Sequence, residues 1–182
     1  MYYPVTRLRR LRKTHLLQEM FRETELDIRS LVYPLFVTEG QQVKEPIESM
    51  PGIFRLSVDN LLKEVKEIER LKIPAVLLFG IPERKDERAT AAYAKNGVIQ
   101  TAIKALKDKF PQLLVVTDVC LCAYTTSGHC GVMKVRAPLA KDESLPEQQS
   151  EAGNGSDEEV VVYNDASCEI LAKMALSHAE AG

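Results

Sequence analysis

Nothing in this 182-residue sequence supplies a large excess of charge of either sign: 24 Lys and Arg face 26 Asp and Glu, for a formal net charge of −2. That balance excludes a generic polycation, and with no RNA-binding motif in the chain no nucleic-acid partner is expected. Long hydrophobic runs are missing too. The longest, around Ala75–Phe79 and Leu113–Val116, fall far short of the ~20 apolar residues of a bilayer-spanning helix, so no membrane partner is expected either. No apolar segment with a small-residue cleavage pattern follows Met1-Tyr2-Tyr3-Pro4; secretion is therefore not expected, and a cytoplasmic location is. Cysteine is sparse, and four residues are too few for a disulfide scaffold. Three of the four nevertheless crowd into positions 120–130, a distribution that fits metal or redox chemistry in a reducing compartment.

What is present reads as an α/β protein. At 45% hydrophobic and 27% charged residues the chain is in the ordinary globular range, long enough for one real core. Residues 1–27 read as an N-terminal arm: Arg7, Arg9, Arg10, Arg12 and Lys13 precede Thr14 and a short helix with Leu16, Leu17, Met20 and Phe21 on one face. The basic cluster reads as a solvated arm pairing with acids of a neighbouring subunit. Residues 28–182 read as the folded domain. Leu31–Val37 is a short β-prone run. Ser57 precedes a helix with Leu61, Leu62, Val65, Ile68 and Leu71 on its apolar side, and Ala75–Gly80 follows as a continuous apolar run, the pattern of a strand buried on both faces. Asn96 can cap a second helix carrying Val98, Ile99, Ala102, Ile103 and Leu106 inward, stopped by Phe110-Pro111 before a third strand at Leu113–Asp118. Strand, helix, strand, helix, strand predicts parallel βαβ units, with ligands gathering beyond the carboxyl ends of the strands. Residues 138–159 hold seven acids, one Lys and two prolines and read as a disordered acidic loop. Val160–Tyr163 can add a short strand, and Asp165 can cap a last helix with Leu171, Met174, Ala175 and His178 on related faces.

The chemistry is concentrated in Asp118-Val-Cys120-Leu-Cys122-Ala-Tyr-Thr-Thr-Ser127-Gly-His129-Cys130-Gly131. In extended chain, side chains two residues apart share a side, so Cys120 and Cys122 can face one ion. A Thr-, Ser- and Gly-containing loop can return Cys130 to the same point. Soft sulfur donors select Zn2+ among abundant cellular metals, and three protein ligands leave tetrahedral zinc one open position, as in a catalytic centre. His129 could instead close that position as a fourth ligand. Asp118, at a strand end two residues before the first sulfur, is placed to orient substrate or relay protons. Cys168 reads as a packing residue of the last helix, and His15 and His178 as helix-face residues without a metal role. A thiol redox sensor built on Cys120 and Cys122 is a weaker reading, because C-x-C lacks the helix N-terminal setting that activates C-x-x-C thiols.

Together with Pro34-Leu-Phe-Val37, Val76-Leu-Leu-Phe-Gly-Ile-Pro82 and Leu171-Ala-Lys-Met-Ala-Leu-Ser-His-Ala-Glu-Ala-Gly182, the cysteine segment resembles porphobilinogen synthase, also called 5-aminolevulinate dehydratase. The resemblance implies a TIM (β/α)8 barrel, here incomplete at about three strands with an N-terminal helical arm. It implies a lyase of tetrapyrrole and heme biosynthesis that condenses two 5-aminolevulinate molecules into porphobilinogen, usually as a homo-octamer held by N-terminal arms. In the zinc-dependent branch, Cys120, Cys122 and Cys130 would be the metal ligands and Asp118 a supporting catalytic residue. Ser127 stands where members of the family commonly carry His, and the acidic loop is longer than usual.

The resemblance covers the N-terminal portion only. The family uses two Schiff-base lysines, in surroundings that read roughly Ser-Asp-Met-Met-Asp before a strand Lys, and Val-Lys-Pro; neither occurs among residues 1–182. The chain is accordingly expected to be an inactive fragment on its own, with an open and aggregation-prone sheet edge. The alternative expectation is a non-catalytic zinc-binding half-barrel that assembles with full-length subunits.

Overall fold

The computed structural model describes residues 2, 4, 5, 9–135 and 160–182. The acidic loop expected at 138–159 lies outside the described residues. Helix α1, His15–Met20, opens on Thr14, whose hydroxyl accepts a hydrogen bond from the Leu17 N–H, as expected for an N-cap. On its apolar face Leu16, Met20 and Phe21 are exposed and Leu17 is half-buried.

The three strands expected from sequence form: β1 at Val32–Thr38, then β4 at Ala75–Ile81 and β5 at Leu114–Thr117, after the short strands β2 at Lys44–Pro46 and β3 at Phe54–Leu56. The sheet order is β2-β3-β1-β4-β5, with β1, β3, β4 and β5 parallel and β2 antiparallel to β3 at one edge. The short pair carried no apolar alternation that would have announced it. β1 and β4 pair over their full length, Val32 against Ala75 through Thr38 against Ile81. Helix α2, Val58–Arg70, follows β3, and helix α3, Val98–Lys109, joins β4 to β5. Leu61, Val65 and Ile68 of α2 and Val98, Ile99, Ala102, Ile103 and Leu106 of α3 pack against Leu35, Val37, Val76 and Leu78 of the sheet to form the main core. Strand side chains alternate, so Phe36 and Phe79 stack on the opposite face with ring centroids 5.1 Å apart. On that face Val32 and Leu114 are exposed, and β5 is an edge with no further strand beside it among the described residues.

Local differences from the sequence reading have physical causes. Helix α3 has Gly97 rather than Asn96 at its N-cap, and a Cβ at position 97 would run into the Gln100 side chain and the Ala91 and Ala94 carbonyls. Gln100 is buried there, donating to the Ala92 carbonyl and to Ser177 Oγ. Ser57 does precede α2, but its hydroxyl contacts Val43 and Asp59 instead of capping the helix, and Leu71, expected inward, is exposed past the helix end. Strand β7, Val160–Val162, pairs antiparallel with β6, Met133–Val135. Helix α4, Asn164–Ala181, begins one residue before Asp165, with Tyr163 at the N-cap position. It buries Ser167, Ile170, Met174 and His178, whereas Ala175 and Cys168 are exposed. Cys168 is therefore not the packing residue expected; it sits one position beyond Ser167, turned off the buried stripe.

A second, smaller core of Ala89, Ala92, Leu121, Tyr124, Ile170 and Met174 lies where the loops after β4 and β5 meet α4. Tyr124 reaches back to β4 at Gly80, where a Cβ would collide with its hydroxyl and with Ile99. The absent side chain is the slot that admits the ring. Gly80→Ala is expected to lower stability by about 1–3 kcal/mol, the usual cost of overpacking, read as a lower denaturation midpoint; an unchanged midpoint would show that the slot is not tight.

His178 is the other buried anchor. Its Nδ1 lies 3.1 Å from Thr117 Oγ1 and its Nε2 is buried with no hydrogen-bond partner among the described residues. A bare lone pair is less costly to bury than an unpaired N–H, which favours the tautomer with the proton on Nδ1. Burial holds this imidazole below its ordinary pKa. The folded state thus binds fewer protons than the unfolded one, so stability is complete above about pH 6.5 and falls as the pH drops through that value towards the folded pKa. Melting at pH 7.5 and 5.5 should therefore show a larger acid-side loss for the natural chain than for His178→Asn.

Candidate metal centre

The loop that holds the cysteines begins where β5 ends. The Asp118 N–H still donates to the Leu78 carbonyl at 3.0 Å, continuing the ladder to β4, and the chain then leaves the sheet. Cys122 does not sit on an extended strand end, as the two-residue alternation implied. A tight turn follows Cys120, in which the Tyr124 and Thr125 N–H groups both donate to the Leu121 carbonyl, at 2.9 and 3.0 Å. Leu121 is fully buried between two half-buried cysteines. Its apolar anchoring, rather than strand alternation, brings Cys120 and Cys122 to one side.

The sulfurs meet. Cys120 Sγ lies 3.4 Å from Cys122 Sγ and 3.3 Å from Cys130 Sγ. Among the described residues these three are the only group of His, Cys, Asp or Glu side chains gathered closely enough to share a metal ion. His129, Asp118 and Cys168 of α4 are outside that group. Three thiolates bound to tetrahedral zinc at ~2.3 Å stand about 3.8 Å apart, so an ion would need the observed sulfurs to separate by only a few tenths of an ångström. The donor set and its spacing fit a soft divalent cation.

The protonation balance is uneven. Burial opposes ionisation of Cys120, but hydrogen bonds from the Cys122 backbone and from the Cys130 and Cys122 thiols outweigh it and leave this thiol below its ordinary pKa. Cys122 is pushed up to about 11, first by its bond to Cys120 and then by burial. Cys130 is raised likewise, chiefly by its bond to Cys120. Burial alone raises the Asp118 carboxyl, and its charge is felt at Cys120, Cys130 and Tyr124.

Residues that the sequence reading passed over fix this geometry. On the strand side, the Asp86 N–H donates to the Tyr124 carbonyl and the Thr126 N–H to the Asp86 carbonyl, tying the loop after β4 to the cysteine loop. The Asp86 carboxylate is occupied by the Arg88 and Thr90 N–H groups and the Thr90 hydroxyl, which hold its pKa down. Beyond Cys130, Gly131 packs so tightly on Val162 and Ser167 that a Cβ would clash, and the Val132 N–H donates to Ser167 Oγ at 2.9 Å. Ser127 Oγ accepts from the His129 N–H at 3.3 Å. Only the positive φ of Gly128 in this turn carries a recognisable residue signal.

Residues 5–182 match the family described as delta-aminolevulinic acid dehydratase. The chain is 42% identical over 182 residues to a delta-aminolevulinic acid dehydratase of Methanothermus sociabilis, covering all of this chain and 49% of that protein. Identity to the Archaeoglobus fulgidus protein of the same description is 44% over 180 residues, covering 99% of this chain and 48% of that one. The chain thus spans about half the length of these relatives. The crystal structure of delta-aminolevulinic acid dehydratase (porphobilinogen synthase) from Toxoplasma gondii ME49, in complex with the reaction product porphobilinogen, matches all of this chain and 46% of its own at a TM-score of 0.79 and 34% identity. The parallel sheet described above is accordingly part of a TIM barrel, with the cysteine loop at the carboxyl end of its strands. By the match along nearly its whole length, the chain belongs to the delta-aminolevulinic acid dehydratase family.

Proposed function

We propose that this chain supplies the metal-binding part of a porphobilinogen synthase site, in which Cys120, Cys122 and Cys130 hold Zn2+ and Asp118 assists the condensation of two 5-aminolevulinate molecules. The observation that carries the reading is the convergence of three sulfurs at 3.3 and 3.4 Å beyond the end of a parallel strand, in a chain whose relatives bear that enzyme's name. With three thiolates as its protein ligands, the zinc would keep one open position and act there as a Lewis acid. The chain's own part is to lower the cost of assembling three negative sulfurs and to hold them rigidly. Asp118, whose carboxylate is drawn into partial burial beside the trio, is placed to accept or return a proton of a substrate amine or hydroxyl.

The Schiff bases that hold both substrates in this chemistry require lysines activated in a dry pocket. Their sequence surroundings are absent from residues 1–182, so in this reading the lysines lie outside these residues. The exposed β5 edge and the open face bearing Val32 and Leu114 favour that arrangement, because a sheet of this kind normally buries both faces. Residues 1–27 act as the arm through which copies join as a homo-oligomer; its exposed Leu16, Met20 and Phe21 support this role. The setting is cytoplasmic heme biosynthesis. The same exposed surfaces favour the second reading, a non-catalytic zinc-binding half-barrel assembled with full-length subunits.

The 182-residue chain is expected to bind one equivalent of Zn2+ and to form no porphobilinogen alone. Cys120→Ser, Cys122→Ser and Cys130→Ser should each abolish stoichiometric binding, while Cys168→Ser leaves it intact; equal binding by all four variants would overturn the assignment. Because the thiols must shed protons, affinity should rise from pH 6 towards pH 8. Co-purification with a full-length subunit without any gain in turnover would favour the second reading.

A further inference from the structure

Cys130 is the weakest point of the trio on geometric grounds. It is exposed, and it returns to Cys120 from across a polar loop. What fixes it on the loop side is Thr125. This threonine is only 1% exposed, and its hydroxyl donates to the His129 carbonyl at 2.8 Å, gripping the peptide unit that leads directly into Cys130. Thr125 is itself immobilised: its N–H donates to Leu121, its carbonyl accepts from Gly128, and its backbone bridges to Asp86. The same threonine therefore contacts the turn that presents Cys120 and Cys122 and the segment that presents Cys130. Neighbouring Thr126 is exposed and makes no comparable side-chain bond among those described.

Resting on the metal-centre reading above, we propose that Thr125 is the positioning residue that sets Cys130 and thereby decides how tightly the three sulfurs close on an ion. It touches neither metal nor substrate and acts through the His129–Cys130 peptide. Replacing the hydroxyl by a methyl leaves the His129 carbonyl without its donor and frees Cys130 to swing away, while Cys120 and Cys122 stay anchored by Leu121. Losses of partners that orient metal ligands run to about 10- to 100-fold in affinity.

The experiment compares the natural 182-residue chain with Thr125→Val, Thr125→Ser and, as a neighbouring control, Thr126→Val. Zn2+ affinity is measured by competition with a chromophoric chelator, and the thiolate-to-Co2+ charge-transfer band is recorded for each protein. Thr125→Val is expected to weaken Zn2+ by about 10- to 100-fold and to shift the Co2+ spectrum towards that of Cys130→Ser. Thr125→Ser should restore both, and Thr126→Val should change neither. Natural affinity and spectrum in Thr125→Val, or failure of Thr125→Ser to rescue, would overturn the proposal. A second arm needs no metal: in the metal-free protein, alkylation of Cys130 relative to exposed Cys168 should be faster in Thr125→Val than in the natural chain, and equal rates count against Thr125. If the natural chain takes up no metal, the metal-centre reading fails while this arm still decides the role of Thr125. Should Thr125→Val not fold, Thr125→Ala, which only removes atoms, replaces it in both arms.

Discussion

Two sulfurs held within 3.4 Å of the Cys120 Sγ, making a trio, impose the constraint on which the rest of this structure depends. Ionised together they repel, and protonated together they waste the donor strength of thiolate. A shared cation reconciles proximity with charge. Such a site gains little from a flexible loop, because each sulfur free to leave would leave. The surroundings are accordingly rigid: a buried leucine between two ligands, a glycine without room for a Cβ after the third, and backbone bonds to a neighbouring loop.

That rigidity is supplied separately from the main core. The helix-covered face of the sheet is stabilised by α2 and α3, whereas the cysteine loop rests on its own cluster of Leu121, Tyr124, Ile170 and Met174. Tyr124 and His178 are among the residues that connect them. Tyr124 enters the slot at Gly80 of β4, and His178 of α4 meets Thr117 at the end of β5, one residue before Asp118. The position of the sulfurs is thereby referred to the carboxyl ends of two neighbouring parallel strands, where α/β proteins gather their chemistry.

How much of this was legible in the sequence follows from the range of the interactions involved. The three long strands and the helices α2 and α3 announce themselves through runs and periodicities in which each residue's burial reflects its own position along one element. The cysteines are legible because thiolate chemistry needs that residue type at close spacing. The reason given for their convergence was nevertheless incomplete: β5 ends at Thr117, and a turn around buried Leu121 replaces the extended geometry. Thr125, Asp86, Gly80 and Ser167 were not legible, since each acts on a partner distant in the chain or through a backbone group that any residue possesses. Cys168 shows the opposite failure, a residue whose type suggests burial but whose helical phase turns it outward.

The two faces of the sheet bear differently on function. The helix-covered face is packed by α2 and α3, and the cysteine loop rests on α4, β7 and the loop after β4. The opposite face, with the Phe36–Phe79 stack flanked by exposed Val32 and Leu114, is the one a barrel turns inward. An ion held by the cysteine loop would therefore be prearranged before that face is covered. The chemistry that needs a dry interior, above all an amine nucleophile kept neutral by burial, depends on the covering itself. In the proposed reading, metal binding and catalysis are therefore separable: the first would rest on local packing around Leu121 and Thr125, the second on closure of a surface that these residues leave open.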